Sequence, residues 1–148
     1  MIQLPPDFRE FLRLLQQHGV EYLLVGGYAV AYYGYPRATI DLDIWIPPRI
    51  DNAAKVINTL EEFGFSDPGV TPEFLCRENQ MLRMGVPPLR LELMNSVSGL
   101  RFEDSYRRRV LAEIDGVLIC LVKLEDLIVN KRASNRPKDQ NDLLNLPS

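Results

Sequence analysis

The sequence predicts an α/β (α+β) fold, a small mixed sheet flanked by helices. Three observations predict it. Short apolar runs with strand-like alternation recur along the chain, segments of helical periodicity separate them, and glycine or proline punctuates most junctions. A helix lies between two of the predicted strands, and a crossover of that kind implies parallel or mixed pairing. With 148 residues and 46% hydrophobic content, one core can be built and hardly two, so a single domain over 1–148 is expected.

Each element has a local cause. Pro6-Asp7 opens a helix that carries Phe8, Phe11, Leu12 and Leu15 at helical spacing and ends at Gly19. Val20 to Val25 is a β-rich run that stops at Gly26-Gly27, and Tyr28 to Tyr33 reads as a short helix closed by Gly34. The next strand runs through Asp41 to Ile46 and is broken by Pro47-Pro48. Asp51 is placed to cap a helix with Ala53, Val56, Ile57, Leu60 and Phe63 on one face, closed by Gly64. Ser66 to Pro72 is turn-rich. Asn79 to Met84 pairs with Leu89 to Met94 around Gly85-Val86-Pro87-Pro88, and Val110 to Ile114 pairs with Val117 to Leu121 around Asp115-Gly116, the strongest hairpin signal in the chain. Leu121 to Lys131 reads as a helix, Arg136 to Asp142 leads into the last one, and Asn145 to Ser148 is expected to fray.

The chemistry concentrates at the aspartate strand. Side chains alternate across a strand, so Asp41, Asp43 and Trp45 share one face while Leu42, Ile44 and Ile46 share the other. Two carboxylates held side by side repel unless a cation lies between them, and oxygen ligands at this spacing suit Mg²⁺ or Mn²⁺. Two solvated aspartates at a strand end would need no metal. The segment before them points to phosphate. Gly26-Gly27 allows close backbone approach, and a new helix presents unsatisfied N–H groups with a favourable dipole for an anion. Leu89 to Met94 also alternates, with Arg90, Glu92 and Met94 opposite three leucines.

Leu24-Val25-Gly26-Gly27-Tyr28-Ala29-Val30-Ala31, followed by Gly34-Tyr35-Pro36-Arg37-Ala38-Thr39-Ile40-Asp41-Leu42-Asp43-Ile44, resembles the nucleotidyltransferase superfamily, and within it small AbiEii-like toxins and related bacterial proteins. The resemblance implies a nucleotidyltransferase-like sheet, with Gly26 and Gly27 holding an incoming NTP such as ATP. It implies that Asp41 and Asp43 hold divalent metals and that Glu92 supplies the third carboxylate, where the family usually has Asp. Arg37 and Thr39, between the turn and the aspartates, are further nucleotide-binding candidates, although an ion pair of Arg37 with Asp41 or Asp43 is the simpler structural reading. Lys131 would contact phosphate, and Asp139 would orient it or cap the last helix.

The reaction implied moves an NMP from the NTP to an acceptor hydroxyl with two Mg²⁺ or Mn²⁺ ions: one held by Asp41, Asp43 and Glu92, the other by Asp41, Asp43 and the triphosphate. Glu92 is also a candidate to take the acceptor proton. The acceptor is RNA, protein or a small molecule. An RNA acceptor would make the chain the toxin of a toxin–antitoxin pair with an antitoxin protein as partner. The alternative class is a nucleotide- or partner-binding module of the same fold with its metal chemistry lost.

Other classes lose support. The net charge of −3 disfavours a protein that coats nucleic acid with a whole basic surface. Two basic clusters remain: Arg107-Arg108-Arg109, and Lys131-Arg132 with Arg136 and Lys138. Each is either a solvated helix face or a receiver of RNA or triphosphate. His18 is the only histidine and sits where a helix should end, which argues against zinc and against histidine-dependent hydrolysis. Cys76 and Cys120 read as two reduced thiols. No apolar run approaches bilayer length and the start lacks signal-peptide character, so a cytoplasmic location without membrane contact is expected.

Overall fold

The apolar runs and helical periodicities become thirteen elements in the computed structural model, which describes residues 2–34, 41–86 and 89–147. In order these are α1 (Pro6–Gln17), β1 (Leu23–Val25), α2 (Gly26–Tyr33), β2 (Asp41–Trp45), α3 (Ile50–Phe63), α4 (Pro72–Leu75) and β3 (Met81–Val86). There follow β4 (Leu89–Met94), α5 (Phe102–Arg107), β5 (Val110–Ile114), β6 (Val117–Leu121), α6 (Leu124–Ser134) and α7 (Pro137–Asn145).

The strands form one sheet in the order β3-β4-β2-β1-β6-β5. It is mixed, as expected: β2 runs parallel to β4 and β1 to β6, while the other neighbours are antiparallel. Alternation sorts the central strands into two faces. Leu42 and Ile44 of β2 and Leu91 and Leu93 of β4 are buried in the core with Phe8, Phe11, Leu12 and Leu15 of α1. Burying such side chains contributes about 1.5–3 kcal/mol each, enough for the four leucine and isoleucine residues to offset a crowded acidic face on the same strands. α1 packs on α3 and β6, and α2 on β1 and β2.

Several boundaries differ from the sequence expectation, each for a local reason. β1 is shorter because Glu21 pairs with a side chain instead of a strand: its N–H donates to Asn52 Oδ1 at 2.8 Å and its carbonyl accepts from Asn52 Nδ2 at 3.0 Å. α2 begins at Gly26, so the glycine pair is its first turn and no separate turn precedes the helix. Asp51 is not the cap of α3; Arg49 holds that place, and Asp51 lies in the first turn where its charge suits the dipole. α6 starts at Leu124 because Leu121 is the last residue of β6, and it ends at Asn135 in the left-handed conformation. α4 and α5 were not expected. Within the end expected to fray, Leu146 is instead buried in the core, and Ser148 lies outside the described residues. Gly64 closes α3, and Asp115-Gly116, with φ of 50° and 80°, makes the predicted tight hairpin.

Candidate active site

The parallel register of β2 and β4 aligns Asp43 with Glu92 and Asp41 with Arg90, so their side chains emerge on one face. Carboxylate oxygens of Asp41, Asp43 and Glu92 lie within 4.8 Å of one another. At that separation two unit charges repel by about 3 kcal/mol at an effective dielectric of 20. Asp43 shows the consequence. Burial, then the charges of Glu92 and Asp41, then a hydrogen bond with Glu92 push its carboxyl up to about 7, against a smaller opposing pull from Lys138. Its Oδ1 is buried without a hydrogen-bond partner among the described residues. An all-oxygen donor set that includes such an orphaned atom fits a hard divalent cation such as Mg²⁺ or Mn²⁺.

Two arginines already balance part of this charge, and neither was assigned a role from sequence. Arg90 donates through Nε and Nη2 to both oxygens of Asp41, at 3.1 and 2.9 Å, and its Nε lies 3.5 Å from Glu92 Oε1. Arg83 of β3 reaches the same Glu92 oxygen at 3.0 Å. At the far end of the acidic face Trp45 is buried edge-on against Phe102 of α5, with Tyr106 stacked behind. The face is therefore closed at Trp45 and polar at Asp41.

Gly26 sets the approach of α2 to this cluster. Its φ is +70°, and a Cβ there would fall on the Asp43 carboxylate, 2.8 Å from Cγ. Among the described residues the first turn of α2 has no side-chain cap, and this turn, with Gly27 half-buried in it, lies beside Asp43. Arg37 and Thr39 lie outside the described residues.

Lys131 is nearly fully buried, and its Nζ lies 3.1 Å from both Asp139 Oδ1 and Asp142 Oδ2. Asp139 both holds Lys131 and accepts from the Arg136 N–H at 3.1 Å at the start of α7. The Arg136 side chain adds two bonds to Asp139, which together with Lys131 outweigh burial and hold that carboxyl below its usual value. The lysine thus anchors α7, whose cap residue Arg136 and first-turn Lys138 feel the charge of Asp43. Lys131→Met should cost about 3–5 kcal/mol in urea denaturation, because it removes the buried cation that Asp139 and Asp142 share. A loss under about 1 kcal/mol would show that the cluster does not bind α7.

The other basic cluster is largely spent internally. Arg108 makes two 3.0 Å bonds to Asp126, and Arg109 lies over the Tyr106 ring at 4.1 Å. Cys76 and Cys120 are free thiols, and His18 pairs with Glu62 at 3.0 Å. Among the described residues no helix is long and apolar enough to cross a membrane.

A family model described as "Nucleotidyltransferase of unknown function (DUF6036)" matches residues 6–146. No curated protein matches the sequence. Among solved structures, the lincosamide antibiotic adenylyltransferase LnuA with lincomycin bound is similar at a TM-score of 0.63 and 16% identity, over 96% of this chain and 95% of that one. A crystal structure of a candidate nucleotidyltransferase from Thermotoga maritima is similar at 0.61 and 16% identity, over 96% and 93%. At such identity these two likenesses show the fold.

Proposed function

Because this chain belongs to the nucleotidyltransferases of unknown function grouped as DUF6036, we propose that it is a one-domain, metal-dependent enzyme that transfers an NMP from an NTP to an acceptor hydroxyl. The observation that carries this reading is the convergence of Asp41, Asp43 and Glu92 within 4.8 Å beside the uncapped start of α2. Two Mg²⁺ or Mn²⁺ ions held by these carboxylates would supply charge neutralisation at the transferred phosphate and the departing pyrophosphate. The residues do the rest. Backbone N–H groups at Gly26 and Gly27 take the triphosphate, with Arg37 and Thr39 in the following segment as further contacts. Glu92 accepts the acceptor's proton as its oxygen attacks the α-phosphorus. Lys131 acts with Asp139 to hold Arg136 and Lys138 toward the nucleotide.

The acceptor we favour is a small hydroxyl compound. Arg108 and Arg109 are engaged within the fold and the net charge is −3, which argues against a broad basic face for a long RNA. The similar LnuA structure is described as acting on a lincosamide antibiotic. Incubation with each α-labelled NTP, Mn²⁺ or Mg²⁺, and separated metabolite, RNA and protein fractions tests this. Label should enter the metabolite fraction. Label in RNA would move the reading to a toxin with an antitoxin partner, and label nowhere would favour a nucleotide-binding module that has lost its chemistry.

The nucleotide cradle has its own test. Gly27→Ala should weaken NTP binding about tenfold or more with little loss of stability, since its methyl enters space the phosphate needs. Gly34→Ala should act on stability instead, because a Cβ there meets Asn145 O at 2.9 Å and Val30 O at 3.0 Å. Titration calorimetry separates them, and unchanged affinity in a folded Gly27→Ala protein would leave the glycine pair a purely structural turn.

A further inference from the structure

Arg90 engages carboxylate oxygens that a metal would need. Its guanidinium covers both oxygens of Asp41 at 3.1 and 2.9 Å and reaches toward Glu92 at 3.5 Å, so it touches two of the three carboxylates in the cluster. A planar fork of this kind uses the lone pair on each oxygen that points to the common side, the same pair a divalent ion would take. The arginine is also free to leave. Its side chain is 30% exposed, its hydrogen bonds and ion pairs among the described residues are with these carboxylates, and it extends from the neighbouring strand with three methylenes of reach.

We propose that Arg90 is a resident counter-ion that competes with the divalent ion for Asp41 and swings to the phosphates of the bound NTP when the ion arrives. The inference rests on the nucleotidyltransferase reading and adds coupling to it. Arg90 and Arg83 offset the charge of Asp41 and Glu92, two of the three carboxylates. Placing a dication beside the unmoved guanidinium sets like charges together, which weakens metal binding until the guanidinium finds another anion. The triphosphate is that anion. Nucleotide should therefore tighten metal binding, and by reciprocity metal should tighten nucleotide binding by the same factor. Neither ligand alone then fills the site well, which restricts loading to the pair the reaction uses.

The test is Mn²⁺ affinity, read by electron paramagnetic resonance of the free ion, with and without a non-cleavable α,β-methylene NTP. In Arg90→Gln the affinity without nucleotide should rise about tenfold, and the tightening caused by nucleotide should shrink toward none. Arg90→Lys keeps the charge and loses the fork, so it should fall between wild type and Arg90→Gln; it also covers a folding failure of the glutamine variant. Unchanged or weaker Mn²⁺ binding in both folded variants would overturn the proposal and make Arg90 a buttress of Asp41. Equal nucleotide tightening in wild type and variants would overturn it as well. If the wild type and both variants bind no Mn²⁺ under any condition, the metal reading of the site fails and takes this proposal with it.

Discussion

Asp43→Asn should abolish nucleotidyl transfer and, in metal-free buffer at pH 8, make the protein more stable than wild type. The Asp43 carboxyl is pushed from 3.8 to about 7 by burial and by its carboxylate neighbours. Between these values the folded protein holds a proton that the unfolded chain has released. Stability contributed by this group therefore falls as pH rises from about 4 to about 7 and levels off above. The three-unit shift corresponds to at most about 4 kcal/mol. Asparagine has nearly the same shape and no charge, so it removes this cost; at pH 5 the two proteins should differ little. Mn²⁺ should reverse the order, raising the wild type by about 2–3 kcal/mol at a hundredfold excess over its dissociation constant and leaving the variant unmoved. Urea denaturation at both pH values, with and without Mn²⁺, checks all four states. A variant less stable than wild type at pH 8 without metal would show that carboxylate repulsion does not govern this site.

Gly26→Ala should damage fold and site together. The residue sits at φ +70°, and an added methyl would strike the Asp43 carboxylate. Strain at a non-glycine left-handed position costs about 1–3 kcal/mol, and overpacking costs about 1–3 kcal/mol more. A double-mutant cycle separates the two. In an Asp43→Ala background the collision with the carboxylate disappears, and the backbone strain and the 3.0 Å approach of the residue 43 Cβ are left, so the cost of Gly26→Ala should drop by roughly a third to a half. The same cost in both backgrounds would show that Gly26 serves backbone conformation alone and not the seating of Asp43.

The elements legible in the sequence were those whose signal is local. Alternation in Asp41 to Ile46 and Leu89 to Met94 put the acidic residues on one side and the leucines and isoleucines on the other, as the buried faces of β2 and β4 show. Asp115-Gly116 identified its hairpin because both residues take the positive φ that a two-residue turn requires. What escaped depends on pairing in space. The Arg90 to Asp41 fork follows from the parallel register of strands separated by α3, α4 and β3, which no window along the chain contains. Gly26 and Gly27 look alike in sequence, and the positive φ of the first and the approach of Asp43 to it distinguish them. Lys131 on a helix face reads as solvated or phosphate-bound until α7 folds back with Asp139 and Asp142. α5 is six residues long, too short for periodicity to declare, and its Phe102 packs on Trp45 with Tyr106 stacked behind it.

The most direct test of the central claim is to follow α- and γ-labelled NTP in parallel with wild type and Asp43→Asn. Transfer of an NMP breaks the bond between the α-phosphorus and its bridging oxygen and forms one to the acceptor oxygen, so the α-label should appear on the acceptor and the γ-label in pyrophosphate. Both signals should require Mg²⁺ or Mn²⁺ and vanish in Asp43→Asn. γ-Label on the acceptor, or α-label transfer that survives the loss of Asp43, would contradict a nucleotidyl-transfer centre at Asp41, Asp43 and Glu92.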